Sequence, residues 1–171
     1  MGAKPKTPQE AEAESGGHGM SARKGRSRGV KSSERGERLK LRPIGTIRST
    51  IKNRKEAPKQ GLEGAPDAWL EVKSFAARGY KGISAGDDLF VVTWLHQGRR
   101  DVLRVRPRSD PQRALTGVFA TRSPDRPNPL GLHRVTVRAV GKKRLRIGPI
   151  EVIDGTPVVD IKPALACEPV S

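Results

Sequence analysis

The densest chemistry in this chain of 171 residues lies in one short corner. Arg122-Ser-Pro-Asp-Arg-Pro-Asn-Pro129 crowds two arginines, a carboxylate and an amide among three prolines. Proline fixes φ and has no amide proton, so this run is neither a helix nor a central strand. It is a stiff loop, and a stiff loop loses little entropy when it presents side chains to a ligand. Arg122 follows a short β-type run, Val118 to Thr121, and at a strand end it is placed to clamp a carboxylate or phosphate. Arg126 points to RNA phosphate as its partner. A plain proline-rich turn joining two strands fits the composition as well.

Other reactive groups are scattered. Gln60, beside the rigid Pro58, offers an acceptor and two donors. Asp154 stands in an Asp-Gly turn where it can accept from hydroxyl or amino groups, and Asp160 follows in the next apolar run. His96 ends the most apolar stretch of the chain, where a structural histidine and a ligand are equally compatible with the sequence. His18, His96 and His133 lack the spacing of a zinc motif, so no metal is expected. Cys167 is the only cysteine, which excludes an internal disulfide.

Three blocks together carry a resemblance. Gly117-Val-Phe-Ala-Thr-Arg-Ser-Pro-Asp-Arg-Pro-Asn-Pro-Leu-Gly-Leu132 is similar to the signature of the TsaA-like (TrmO) family. Ala57-Pro-Lys-Gln60 upstream and Asp154-Gly-Thr-Pro-Val-Val-Asp-Ile-Lys-Pro163 downstream agree with it in order. The likeness covers roughly Leu41 to Ala166. It implies an antiparallel β-barrel, homodimeric, with a cofactor pocket near the subunit interface. It further implies methyl transfer from S-adenosylmethionine to N6 of threonylcarbamoyladenosine in the tRNA anticodon loop. By the same resemblance the cofactor contacts fall on Pro58, Lys59, Gln60, His96, Gln97, Arg122, Leu132, Asp154, Gly155, Thr156 and Pro157. The N6 group is conjugated to a carbonyl and is a weak nucleophile, so a general base is expected, with Asp160 and Asp154 as candidates and His96 as a third. Ala164-Leu165 stands where many relatives carry tyrosine after the proline, so any contact of that ring is missing. If larger relatives grip tRNA with a C-terminal domain, the basic N-terminal arm is expected to substitute for it here.

Those loops need a scaffold, and the pattern is all-β. Leu41 to Ser49 and Ala68 to Lys73 read as strands around a long polar loop, residues 50–67. Ser74 to Tyr80 reads as one or two helical turns ended by Gly79. Asp87 to Gln97 reads as a strand buried on both faces. Asp101 to Arg106 alternates, with Leu103 and Val105 inward and Arg104 and Arg106 outward as candidate RNA contacts. Val135, Val137 and Ala139 alternate with Thr136 and Arg138. Gly141-Lys-Lys is a hairpin turn into Leu145 to Ile147, and Asp154-Gly155 another before Pro157 to Ile161. No glycine-rich strand-to-helix turn and no βαβ alternation occurs, which disfavours a Rossmann-type site. Seven or so short strands, tight turns and almost no helix over residues 41–167 predict an antiparallel barrel or sandwich, of which the resemblance implies the barrel.

Charge defines the partner class. Lys plus Arg number 34 against 18 Asp plus Glu, a net +16, which attracts polyanions; without an amphipathic or long apolar segment, nucleic acid is favoured over membrane. The lack of a spanning run or secretory signal predicts a cytoplasmic protein. Residues 1–40 hold few large apolar side chains and read as a disordered basic tail, either an arm that raises RNA encounter or a solubilising extension. The outward arginines, Arg104, Arg106, Arg108, Arg138, Arg144 and Arg146, fit an RNA-backbone surface or a solvated sheet face alike.

Overall fold

A computed structural model of the chain describes residues 39–165. The tail reading falls almost wholly outside the described residues, as does Cys167. Within them the alternation of apolar and polar side chains, period two, makes strands with one buried face. These are β1 (Gly45–Arg48), β2 (Ala68–Val72), β3 (Asp88–Trp94), β4 (Arg104–Val105), β5 (Thr116–Gly117), β6 (Leu130–Gly141), β7 (Arg144–Gly148) and β8 (Pro157–Pro163). Six of them close into a barrel in the order β1-β2-β7-β6-β3-β8, every pairing antiparallel, and β8 returns to β1. The expected barrel is what forms.

The inward phase of each strand supplies the core. Ile47 of β1, Leu70 of β2, Val91 of β3, Leu145 and Ile147 of β7 and Val158 of β8 are all fully buried. Ile150 and Val152, from the link between β7 and β8, join the same cluster. Burying each such side chain stabilises by about 1.5–3 kcal/mol. The β6–β7 hairpin turns on Lys142 and Lys143, with Lys143 at φ 58°. Tyr80, at the end of the 3-10 helix Ser74–Tyr80, braces that turn: its hydroxyl donates to the Gly141 carbonyl and accepts from the Lys143 amide.

Four expectations are corrected. The first strand starts at Gly45 rather than Leu41, because Pro43 lacks a ladder donor and Leu41 stays exposed. Val118 to Thr121 is no strand: β5 ends at Gly117 and Val118–Ala120 form a 3-10 turn, closed by the Thr121 hydroxyl donating back to the Val118 carbonyl. β3 is buried on one face only; Leu89, Val91 and Thr93 point in, while Phe90, Val92 and Trp94 are part-exposed on the outside. Finally, only Arg104–Val105 of the expected 101–106 strand pairs, and it pairs with β5 outside the barrel, leaving Leu103 63% exposed. Neighbouring alternation alone does not say whether an apolar face has a core to join.

Truncating the two leucines separates these environments. Leu70→Ala should lower unfolding free energy by about 2–5 kcal/mol, while Leu103→Ala should cost less than about 0.5 kcal/mol. Urea titrations of the two variants check this.

Candidate functional site

The proline-rich corner is held by its own short-range hydrogen bonds. Ser123 Oγ accepts from the Asp125 amide and Thr121 Oγ1 from the Ser123 amide. Arg126 turns inward: Nε donates to the Ser123 carbonyl at 2.8 Å, and Nη2 to the carbonyls of Val118 and Thr121. Its guanidinium therefore satisfies loop carbonyls instead of reaching outward to a phosphate as expected. Arg122, in contrast, is exposed and makes no hydrogen bond or ion pair among the described residues.

Asp125 ties the corner to the long loop. Its carboxylate takes Arg54 Nη2 at 3.0 Å and the Arg99 amide at 2.9 Å, and Arg54 Nη1 also donates to the Gln97 carbonyl. Partial burial works against the ionised Asp125, but these bonds and the two arginine charges outweigh it and hold the pKa below the usual range. At its other end the same loop meets the Asp154-Gly155 turn. Asp154 Oδ1 accepts from the Ser49 amide at 3.1 Å and Oδ2 pairs with Lys52 Nζ at 3.0 Å. The Lys52 hydrogen bond, then the Ser49 amide, lower the Asp154 pKa.

Between these ends lies a group that the sequence reading passed over. Glu151, in the link between β7 and β8, pairs through Oε1 with His133 Nδ1 at 2.9 Å, and His133 Nε2 meets Thr93 Oγ1 at 2.9 Å. In the neutral ring, Nδ1 donates to the carboxylate, so Nε2 accepts from the threonine hydroxyl and one tautomer is fixed. His133 is 7% exposed and Thr93 0%. Gly131 makes the chain possible, since a Cβ there would stand 2.5 Å from both His133 Nε2 and Thr93 Oγ1. Burial raises the Glu151 pKa, but the hydrogen bond from His133, helped by nearby positive charge, more than reverses this. A signal was present: His133 falls in the inward phase of β6 with Val135 and Val137, a polar residue where the pattern demands an apolar one.

The expected site residues are thus brought together in part. Gly61, next to Gln60, packs on the same carboxylate, with Glu151 Oε2 3.2 Å from where its Cβ would stand. The loop that carries Pro58–Gln60 therefore reaches Glu151, with which Arg122 makes no hydrogen bond or ion pair among the described residues. Pro58 is part-buried; Lys59, Gln60, His96 and Gln97 are exposed, and Leu132 lies on the outer face of β6 opposite Val92. No hydrogen bond or ion pair among the described residues joins the Asp154–Pro157 turn to Pro58–Gln60 or Arg122. Thr156 is buried, its hydroxyl donating to the Ile153 carbonyl, which shapes the turn. Asp154 borders a cavity of about 440 Å3 with Arg48, Lys52, Trp69 and Arg146. Pro157 borders another of about 280 Å3 with Leu41, Pro43, Trp94 and Val159. Neither contains Arg122 or Gln60. Asp160 lies on β8, its Oδ1 accepting from the Ile161 amide and its Oδ2 paired with Lys162 at 3.0 Å. Arg104 and Arg106 donate across their own arm to the carbonyls of Leu115 and Arg113. Among the described residues no group of His, Cys, Asp and Glu could hold a metal ion.

Comparison with known proteins supplies a family. The tRNA-methyltransferase O N-terminal domain matches residues 46–167. A probable S-adenosyl-L-methionine-binding protein of Methanothermobacter thermautotrophicus is 39% identical over 125 residues, covering 73% of this chain and 89% of that protein. An S-adenosyl-L-methionine-binding protein of Archaeoglobus fulgidus is 40% identical, over 71% of this chain and 86% of its own length. Among solved structures, the crystal structure of TrmO from Pseudomonas aeruginosa superposes with a TM-score of 0.62 at 30% identity, over 75% of this chain. This chain spans 57% of that one's length.

The depressed carboxylates set an acid limit. Groups whose folded pKa lies below the unfolded one stabilise the fold above the usual carboxylate range, and that contribution is lost as pH falls through the folded value. For Asp125, Glu151 and Asp154 this loss should begin below about pH 4. Denaturant melts from pH 7 to 3 should show stability falling in that window, and Asp125→Asn should reduce the slope. Arg126→Ala, which strips three loop carbonyls of their donor, should cost about 1–3 kcal/mol and leave the salt dependence of RNA binding as in the wild type.

Proposed function

Because this chain belongs to the tRNA-methyltransferase O N-terminal domain family, we propose that it is an S-adenosylmethionine-dependent methyltransferase acting on N6 of threonylcarbamoyladenosine in the tRNA anticodon loop. The observation that carries the reading is the tying of three family blocks to one loop: the segment that carries Pro58–Gln60 is held to Asp125 of the proline-braced corner by Arg54 and to Asp154 by Lys52, and its Gly61 packs on Glu151. The residues there fit the cofactor's chemistry. Among the described residues Arg122 has an unspent guanidinium for a carboxylate and Gln60 an unspent amide, and Leu132, 54% exposed, offers an apolar surface.

S-adenosylmethionine supplies an electrophilic methyl group on its sulfonium. The protein's part is to align donor and acceptor and to exclude water. Asp154 takes the role of acceptor for a hydroxyl or amino group. With Lys52 and the Ser49 amide stabilising its ionised form, it is a poor base. Asp160 is engaged by Lys162 and the Ile161 amide. His96, exposed at the end of β3 and without a hydrogen-bond partner among the described residues, is therefore assigned the proton of N6.

A second copy of the chain completes the pocket in this reading, bringing its Asp154–Pro157 turn to the Arg122 side. Support comes from the apolar side chains that one copy leaves in water beside the corner, Phe119 at 79% exposure and Leu130 with Leu132. The net +16 suits tRNA as the partner, and a tRNA-modifying role places the protein in the cytoplasm.

The names of the relatives favour a second reading. Those proteins are described as binding S-adenosyl-L-methionine, which a barrel that senses the cofactor without transferring methyl would also do. Methyl transfer to purified tRNA, followed by mass spectrometry of nucleosides, decides. Methyl incorporation is expected only with tRNA bearing the threonylcarbamoyl group, and Arg122→Ala should lower kcat/KM by about 10–100-fold, mainly through KM for the cofactor. Saturable cofactor binding without transfer to any tRNA would establish the binding module instead.

A further inference from the structure

We infer that Glu151 is the acceptor for the α-ammonium of the bound cofactor, opposite Arg122 as the donor to its α-carboxylate. The inference rests on the cofactor reading and names the residues that hold the amino-acid end.

The geometry around Glu151 is that of an aimed carboxylate. Oε1 is fixed by His133 Nδ1 at 2.9 Å, and the ring is fixed from behind by Thr93 Oγ1 at 2.9 Å. Both supports are buried, so the carboxylate is held in one direction by groups that cannot rearrange into solvent. Oε2 has no side-chain donor among the described residues and faces the backbone of Gly61, the neighbour of Gln60. The Glu151 side chain keeps 23% of its exposure, so a ligand can reach it.

Arg122 is the second half. It is exposed on the stiff corner and makes no ion pair with Glu151 within 4.0 Å. A guanidinium and a carboxylate serving stability alone would close on each other, because a direct bidentate pair is the strongest arrangement open to them. Here they stand apart, with the exposed arginine on a stiff loop and the carboxylate on a buried relay. Two opposite charges left open to a ligand suit a group that carries an ammonium and a carboxylate on one carbon. Each charge of that zwitterion then meets its opposite, whereas a simple anion or cation would satisfy one side and leave the other unpaired. Gln60, next to the Gly61 that packs on Glu151, is placed to read the adjoining part of the ligand.

Calorimetric titration of the full chain tests the assignment without catalysis. The probes are S-adenosylhomocysteine and its deamino counterpart, identical except for the α-amino group. The wild type should bind the deamino compound about tenfold more weakly or worse, as expected for loss of a charge-assisted hydrogen bond. Glu151→Gln, similar in shape, should weaken S-adenosylhomocysteine by about the same factor and leave the deamino compound unchanged, so that the discrimination disappears. Equal affinity of the wild type for both probes, or equal weakening of both by Glu151→Gln, would overturn the inference, the second outcome showing Glu151 to be a structural anchor. Should Glu151→Gln not fold, Glu151→Asp, which withdraws the carboxylate by one methylene, is titrated in its place and should narrow the discrimination, unchanged discrimination overturning the inference. Failure of the wild type to bind either compound would overturn the cofactor reading itself, and this assignment with it.

Discussion

The barrel has no room inside. With six strands its diameter is filled by one layer of branched side chains, Ile47, Leu70, Val91, Val135, Leu145, Ile147 and Val158, all at or near zero exposure. A larger barrel can keep a ligand in its lumen, but one of this size closes on its own core. Every chemical task therefore falls to segments outside the sheet, and the central physical problem is to keep those segments in place. An α/β fold meets the same need at the carboxyl ends of parallel strands, beside helix N-termini. The described residues of this chain have only short 3-10 turns to offer.

The long loop between β1 and β2 is the solution. Along its length it is tied successively to the Asp154 turn by Lys52, to the proline corner by Arg54, to Glu151 by the close approach of Gly61, and to the β4–β5 arm by Glu63 with Arg108. Each exposed pair alone is worth about 0–1 kcal/mol. Spread along one segment, they restrict it at several points, so that each bond forms between groups already partly ordered by its neighbours. The corner contributes its own rigidity through proline and through Arg126, which spends a charge on three carbonyls. Two stiff segments tied to each other, one of them packed on a part-buried carboxylate, make a site of defined shape from irregular backbone. The same economy explains why the barrel tolerates Thr93 and His133 on its inward phase: they give up apolar burial to orient Glu151, and as a fully satisfied chain they carry no desolvation debt of their own.

What the sequence revealed follows the physics of range. Strands such as Leu70–Val72 and Leu145–Ile147 were legible because alternation is local, and the turns at Lys142–Lys143 and Asp154-Gly155 because their residue chemistry is local too. β3 was misjudged because an unbroken apolar run looks the same whether one or both faces are covered. The 101–106 run and Val118 to Thr121 failed for related reasons: the first alternates beside no core, and the second is bent by hydroxyl and guanidinium bonds to its own carbonyls. The expected site rested on blocks, and blocks mark segments without showing what joins them. Glu151 and His133 lie 18 residues apart, and His133 and Thr93 lie 40 apart, on different strands or links. Such a relay has no spacing to recognise, and only the polar intrusion at His133 hinted at it.

The positive charge follows a different logic from the site. Much of it on the barrel's outer face is already committed: Arg48 pairs with Glu71, Arg134 with Asp88, and Arg138 and Arg146 share Asp67. Arginine planes also cover the rings of Phe75, Trp94 and Trp69, through Arg42, Arg100 and Arg144. Those faces are thus closed to the base stacking by which single-stranded RNA is commonly read. Phe119, three residues before Arg122, is exposed and carries no such cover among the described residues. The surface as a whole attracts polyanions through its excess charge, a long-range and salt-screened effect. In the proposed reaction, selection of one base has to come from short-range groups that are still free. In the described part of this chain those groups gather at the proline-braced corner, where rigidity, an uncommitted arginine and an open aromatic ring coincide. Attraction is therefore a property of the surface and choice a property of the loop, and the barrel serves both by holding the loop still.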